Sequence, residues 1–175
     1  MLLVVLTPLL AVFWPPWLVA VWIQLPIYML HQFEEHDGDR FQCFVTANLG
    51  QGRELLSHAA IWVINVPGVW GVIAVSLGLA VWVRPGLGLI AVYLVLVNAL
   101  AHIAAGVVLR RFNPGLVTAV VLFLPGGIWG LLALRQAGAT AADHAIGLAV
   151  AVAIHLAIVA FANRFRLAGL VSGRG

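Results

Sequence analysis

Acidic side chains are rare in this chain, and four of the six lie between positions 34 and 39, at the end of an apolar stretch. On a helix, Glu34 and Glu35 would fall about 60° and about 40° to either side of His31 and one turn beyond it. One helix face would then present an imidazole and two carboxylates. These groups are ligands for zinc and iron, and they also serve in general acid–base catalysis. His36 would lie about 140° from His31, so we do not expect these two histidines to hold one ion.

Polar residues also occur inside the other long apolar stretches. Asn98 and His102 are four positions apart and would share one helix face, and His58 and His155 lie in two further stretches. At the rise of an α-helix, His31, His102 and His155 would each lie roughly 12–13 Å inside the nearest flanking arginine. We therefore predict that separate helices bring these groups to one polar layer.

The composition indicates that this layer lies inside a membrane. Of the 175 residues, 63% are hydrophobic and 9% are charged, and the mean hydropathy is +1.09. Soluble domains carry about 25% charged residues, and a soluble chain of this size could not bury so much apolar surface. We predict an all-α, polytopic transmembrane helix bundle that forms a single domain over residues 1–175, with the lipid bilayer around it.

Prolines, glycines and polar residues divide the chain into about five spans and a short N-terminal apolar helix over 1–14. We expect the N-terminal stretch to be retained, because it lacks the basic start and clear cleavage site of a signal peptide. Residues 37–52 are predicted to be polar and irregular, and 167–175 to be a basic tail. Asn113-Pro114-Gly115 is interpreted as a turn. The predicted spans cover 17–36, 53–83, 87–111, 116–135 and 142–164.

Nine arginines and no lysine give the chain its net charge of +3, and they are spread along it. This spread argues against a nucleic-acid partner and favours topology signals. Seven arginines flank one side of the predicted spans, whereas only Arg84 and Arg135 flank the other. The positive-inside rule then places the loops after the first and third spans, and the C-terminus, in the cytoplasm. The polar layer would lie in the cytoplasmic half of the bilayer.

Three stretches, taken in order, resemble the HXXEE family of bacterial integral membrane proteins, over about residues 20–165. The resemblance implies a bundle in a bacterial inner or plasma membrane, and it points to the five residues of the first two stretches. It implies no reaction. The stretches are His31-x-x-Glu34-Glu35, Asn98-x-x-x-His102 and RFNPGLVT at 111–118.

The hypothesis that we favour is a membrane-embedded enzyme that acts on a lipophilic small molecule drawn from the bilayer. Glu34 or Glu35 would act as acid, base or ligand, with His31 and Asn98 as further catalytic residues. Iron or zinc is the expected ion, and no organic cofactor is indicated. The predicted metal ligands are His31, Glu34, Glu35, His102 and His155.

Three other functions stay open. A protonated glutamate beside a histidine could isomerise or cyclise a lipid or terpenoid without metal, with Trp22, Trp62 and Phe33 stabilising a carbocation. The same buried ionisable groups could carry protons or metal ions. The polar layer could also do no more than lock helices together in an accessory subunit. The pattern sets no oligomeric state.

Overall fold

The computed structural model describes residues 2–50 and 52–172, and within these ranges the chain is helical with no strand. The all-helical class is thereby confirmed. Four helices are long and apolar enough to cross a membrane, and much of their surface is apolar and exposed, as at Val75, Val107 and Val108. Apolar residues on the outside of a bundle are expected where lipid is the solvent. The four helices cover His58–Trp82, Pro85–Leu109, Leu116–Gln136 and Ala141–Arg164.

Helix α7 (Leu89–Leu109) forms the centre of the bundle. It begins after a 3-10 turn at Pro85–Gly88, and its residues Leu89, Val92 and Val95 are fully buried. The helix ends where Arg110 adopts a left-handed conformation with φ of 50°. Small residues let neighbouring helices approach it closely: a Cβ on Gly147 would lie 2.9 Å from the backbone of Leu89. Close backbone approach at glycine is a common way to pack helices in membranes.

Two of the long helices contain π-helical turns next to a proline. Helices α5 (His58–Val63) and α6 (Gly71–Trp82) are joined by a π turn at Ile64–Trp70 that contains Pro67. Proline cannot donate a backbone hydrogen bond and crowds the preceding turn, and a π turn accommodates the misfit without ending the helix. The same arrangement recurs where α8 (Leu116–Thr118) continues through a π turn at Ala119–Phe123 into α9 (Leu124–Gln136).

The predicted first span is two helices rather than one. Helix α2 covers Pro16–Trp22 and α3 covers Gln24–His36, with a break at Ile23. Pro26 lies one turn beyond the break and lacks the N–H that would bond the Trp22 carbonyl, so the helix loosens there. The N-terminal apolar stretch forms helix α1 at Leu2–Phe13.

The prediction that residues 37–52 are irregular was wrong over 37–48. Leu49, Gly50 and Gly52 do lie in a turn or bend, and residue 51 is outside the described part of the chain. A 3-10 turn at Asp37–Asp39 leads into helix α4 (Arg40–Asn48). The chain turns because Gly38 and Asp39 both have positive φ, after which Phe41, Phe44 and Val45 are partly or fully buried. Apolar residues at helical spacing on one face are enough to hold a short helix against the bundle.

The last helix, α10 (Ala141–Ser172), begins with a capping box. The Thr140 Oγ1 accepts from the Asp143 backbone N–H, and the Asp143 carboxylate accepts from the Thr140 N–H at 2.9 Å. These two reciprocal bonds satisfy backbone N–H groups that the first turn of a helix leaves without partners. The helix continues into the stretch predicted as a tail, and the rest of that stretch, residues 173–175, lies outside the described residues.

Candidate metal centre

Three buried side chains from two helices converge at the end of the bundle where α3 and α7 meet the 110–115 loop. His31 and Glu35 lie one turn apart on α3, and His102 reaches them from α7. His31 is fully buried, and Glu35 and His102 are each 7% exposed. One ligand atom from each residue lies within 4.8 Å of the other two. We call this set the His31–Glu35–His102 cluster.

The Glu35 carboxylate lies between the two imidazole rings. The Nε2 atom of His102 is 3.2 Å from Oε1 of Glu35, and the Nε2 atom of His31 is 3.6 Å from Oε2. The rings are nearly perpendicular, with centroids 4.7 Å apart. The Nε2 edge of each ring faces the Glu35 carboxylate.

Hydrogen bonds on the far side of His31 determine which ring nitrogen carries its proton. Its Nδ1 lies 2.8 Å from the Thr118 hydroxyl, and that hydroxyl donates to Glu34 Oε2 at 2.6 Å. Because the Thr118 proton is directed at Glu34, His31 Nδ1 must be the donor to Thr118. His31 Nε2 then carries a lone pair. The amide nitrogen of Asn98 donates to that lone pair at 3.3 Å and also to the Tyr28 hydroxyl at 2.8 Å.

His102 is held in the same tautomer by a different residue. The Asn113 Nδ2 donates to the His102 carbonyl at 2.9 Å, which turns Oδ1 of the same amide toward the ring at 2.7 Å from Nδ1. The Nδ1 atom must therefore carry a proton, and in the neutral ring Nε2 presents its lone pair to Glu35. Asn113 is 2% exposed, so water does not compete for these bonds.

With both rings neutral, the cluster consequently brings three hydrogen-bond acceptors together, and the Asn98 amide donates to one of them, His31 Nε2, at 3.3 Å. Two imidazole lone pairs and a carboxylate then face one another in a buried space, which is unfavourable until a cation binds there. A metal ion or an added proton would satisfy all three groups. Histidines whose Nδ1 protons are held by other protein groups are also characteristic of metal sites, where such bonds orient the ring.

A glycine of the 110–115 loop closes the cluster on one side. Gly115 has a φ of +92°, and a Cβ built on it would lie 2.6 Å from a carbon of the His31 ring and 2.7 Å from one of the His102 ring. Only a residue without a side chain can bring the backbone this close in this conformation.

Several residues predicted for the site lie outside the cluster. The Glu34 carboxylate points away from Glu35 and accepts from the Thr118 backbone N–H at 2.8 Å, at the start of α8. His155 bonds its own helix through the Ala151 carbonyl at 2.8 Å. His58 does not share the buried layer: its side chain is 72% exposed and faces Asp39. Successive helical residues point about 100° apart, so only one of the paired glutamates can face His102.

Asn113, Gly115 and Thr118 were not predicted as site residues. These residues are separated from the histidines that they contact by 11 to 87 positions in the sequence. The spacing of residues along one helix cannot predict contacts between such distant positions. A signal was nevertheless present, because all three residues lie in the RFNPGLVT stretch that carried the family resemblance.

A pocket of about 120 Å³ adjoins the cluster. Its polar lining residues include Glu35 and His102 of the cluster, and Leu56, Ile61 and Ile158 are among its apolar ones. The other polar residues are Tyr28, His36, Asn65, Asn98 and His155. The aromatic residues proposed to stabilise a carbocation do not line it. Phe33 and Trp62 are exposed, and Trp22 packs against Trp14.

Comparison with protein families adds a single finding. Residues 22–130 match the family model described as proteins of unknown function with an HXXEE motif. The chain belongs to the HXXEE-motif family. The HXXEE match includes all three cluster residues, and also Asn113, Gly115 and Thr118, but it ends before α10 and His155. No curated protein and no solved structure matches the chain.

Proposed function

We propose that this protein is a membrane-embedded metalloenzyme with a mononuclear centre formed by His31, Glu35 and His102. The observation that carries the proposal is the pair of Nε2 lone pairs that face one carboxylate in a buried space. Two histidines and a carboxylate are the ligands of many catalytic zinc sites and of non-haem iron oxygenases. Three protein ligands leave coordination positions open, as a catalytic site requires and a structural zinc site does not.

One ion suits the cluster better than two. Glu34 and His155, which we predicted as additional ligands, have hydrogen-bond partners elsewhere. With three convergent ligands, a second ion would lack protein donors. A bound ion of this kind would provide Lewis-acid or redox chemistry to a molecule held in the adjoining pocket. The roles of the chain's own residues are to hold the ligands in one tautomer and to keep bulk water out.

The arginine distribution supports a location in the cytoplasmic half of the membrane. We propose that α2 and α3 form a fifth span beside the four long helices, with α1 as a short additional apolar helix. Arg40, Arg110 and Arg111 lie at the end of the bundle that holds the cluster, whereas Arg84 and Arg135 lie at the other end. By the positive-inside rule, this distribution supports a cytoplasmic location for the cluster and the C-terminus. The proposed membrane is the inner membrane of a bacterium, as the family resemblance implies.

Metal analysis of protein purified without chelators tests the proposal. We expect close to one iron or zinc ion per chain. His102→Ala should lose the ion, since the variant retains only two of the three ligands, whereas His155→Ala should keep it. His155 is the matched control because it is a histidine at the border of the same pocket whose ring bonds only its own helix.

A protein that is free of metal and catalytically active would overturn this proposal. Glu35 and His102, at 3.2 Å, would then have to work as an acid–base pair, as in a metal-free isomerase.

Thr118→Val should weaken metal binding without abolishing it. The substitution preserves the shape of the side chain but removes the acceptor for His31 Nδ1–H, so the ring is no longer held in the tautomer that binds metal. Loss of such an outer-shell bond typically lowers metal affinity by about 10- to 100-fold. Competition with a chromophoric chelator measures the change. Thr7→Val, in α1, removes a hydroxyl that bonds only its own helix and should have no effect; equal affinity in both variants would contradict the orienting role.

A further inference from the structure

We infer that the pocket beside the cluster binds a compact, mostly apolar molecule of about the size of a small phenol, with one polar group directed at the proposed ion. This inference rests on the proposed function and adds the class of substrate. It is carried by three features: the volume of the pocket, its mixed lining of polar and apolar residues, and its position next to a groove on the apolar surface.

The volume limits what can be enclosed. The pocket measures about 120 Å³, and an apolar cavity of about 150 Å³ in another protein encloses benzene. By this comparison the space accommodates roughly five non-hydrogen atoms, so a single six-membered ring is the upper limit. A phospholipid or a long isoprenoid could place only one end of its chain there.

The pocket combines polar and apolar groups. Asn98, His102 and His155 are among its polar residues, and Asn65 donates to His36 Nε2 at 2.7 Å, so the side chains of Asn65 and His36 are held in place. Leu56, Ile61 and Ile158 are among its apolar residues. A ligand with one polar group and an apolar body matches this mixed lining, because its polar group has partners and its body meets apolar side chains.

Ile64 separates the pocket from a groove on the outer surface of the bundle. It lines the pocket and also a groove of about 380 Å³ formed with Val63 and Phe161. Val63 is 55% exposed on an apolar span, so this groove faces the region of the lipid chains. Ile64 is also the first residue of the π turn at Ile64–Trp70, and such turns often occur at functional sites. An apolar molecule dissolved in the bilayer would thus meet Ile64 before it reaches the cluster.

Cobalt-loaded protein in detergent provides a test that needs no knowledge of the reaction. The visible absorption of bound Co²⁺ reports changes at the ion, and two probes differ only in size: phenol and para-tert-butylphenol. After correction for partition into detergent, we expect phenol to change the spectrum in a saturable way and the larger probe to bind at least about tenfold more weakly. Ile64→Ala removes three carbon atoms and should bring the larger probe to within about threefold of phenol.

The controls distinguish the size inference from the metal proposal. Ile128→Ala removes the same atoms from an exposed position on α9, away from the pocket, and should leave the preference for phenol unchanged. If Ile64→Ala does not fold, Ile158→Ala enlarges the pocket from α10 instead. Equal binding of both probes to the unmodified protein would overturn the size inference while the cobalt spectrum upheld the metal centre. Failure to bind cobalt at all would overturn the proposed function itself.

Discussion

Glu35→Gln is expected to abolish stoichiometric metal binding, together with any stabilisation that the metal provides. The carboxylate supplies the only negative charge among the three proposed ligands, and its two oxygens face the Nε2 atoms of His31 and His102. A glutamine amide has nearly the same shape, but it is neutral and would direct its N–H groups at one of these lone pairs. In this variant, an amide N–H group therefore points into the space in which the ion would bind.

The effect can be measured as a metal-dependent change in unfolding. A ligand at a hundred times its dissociation constant stabilises the folded state by about 2.7 kcal/mol. Unmodified protein should gain about this amount on addition of the metal, and Glu35→Gln should gain close to zero. Without metal, the variant should be at least as stable as the unmodified protein, because it removes the repulsion between acceptors.

Glu34→Gln is the matched control for this experiment. It makes the same chemical change one residue earlier, at a carboxylate that bonds Thr118 rather than the ion. We expect it to keep one ion per chain, with affinity lowered at most to the degree of an outer-shell change, about 10- to 100-fold. If both variants lost the metal equally, or if neither did, the cluster would not be the binding site.

Gly115→Ala should disrupt the cluster from the side of the loop. The backbone at +92° is strained for any residue with a Cβ, and the added carbon would lie 2.6 Å and 2.7 Å from the two histidine rings. Left-handed strain costs about 1–2 kcal/mol and overpacking about 1–3 kcal/mol more. We therefore expect a loss of roughly 2–5 kcal/mol in the free energy of unfolding, accompanied by loss of the metal.

Gly138→Ala is the control that separates the cost of backbone strain from the cost of steric overlap with the histidine rings. Gly138 has a similar φ of +87°, but a Cβ built on it would meet nothing within 4 Å. It should lose only the strain contribution, about 1–2 kcal/mol, and should retain its metal. Reversible denaturation in mixed detergent micelles measures both free energies. Equal losses in the two variants would show that Gly115 is needed for its backbone conformation alone, and that the loop does not hold the histidines in position.

Much of the fold was predictable because the bilayer imposes simple local rules. A segment without water must satisfy its backbone internally, so apolar stretches of about twenty residues become helices whatever their neighbours are. The turn at Asn113-Pro114-Gly115 follows from residues next to one another. Helix α4 was missed because its polar sequence resembles a loop, and the few apolar residues that hold it count only once α3 lies beside them.

The pairing of His31 with one of two adjacent glutamates illustrates the limit. Helical geometry placed both Glu34 and Glu35 within about 60° of the histidine, and spacing alone did not distinguish them. The position of α7 makes the distinction: His102 lies on the side of Glu35, and the start of α8 lies on the side of Glu34. One carboxylate therefore faces the buried histidines, and the other caps a helix.

The amino-acid sequence by itself determined that this protein is a bundle of apolar helices. It also placed His31, the adjacent pair Glu34 and Glu35, and His102 at a similar depth in that bundle, since both properties follow from spacing along each helix. Only the tertiary structure decided that Asn113 and Thr118 set the tautomers of the two histidines, and that Gly115 closes the space around them. These contacts join residues far apart in sequence, and their existence depends on how α3, α7 and the 110–115 loop pack. Packing of that kind is set by the shapes of whole helices, and no short motif specifies it.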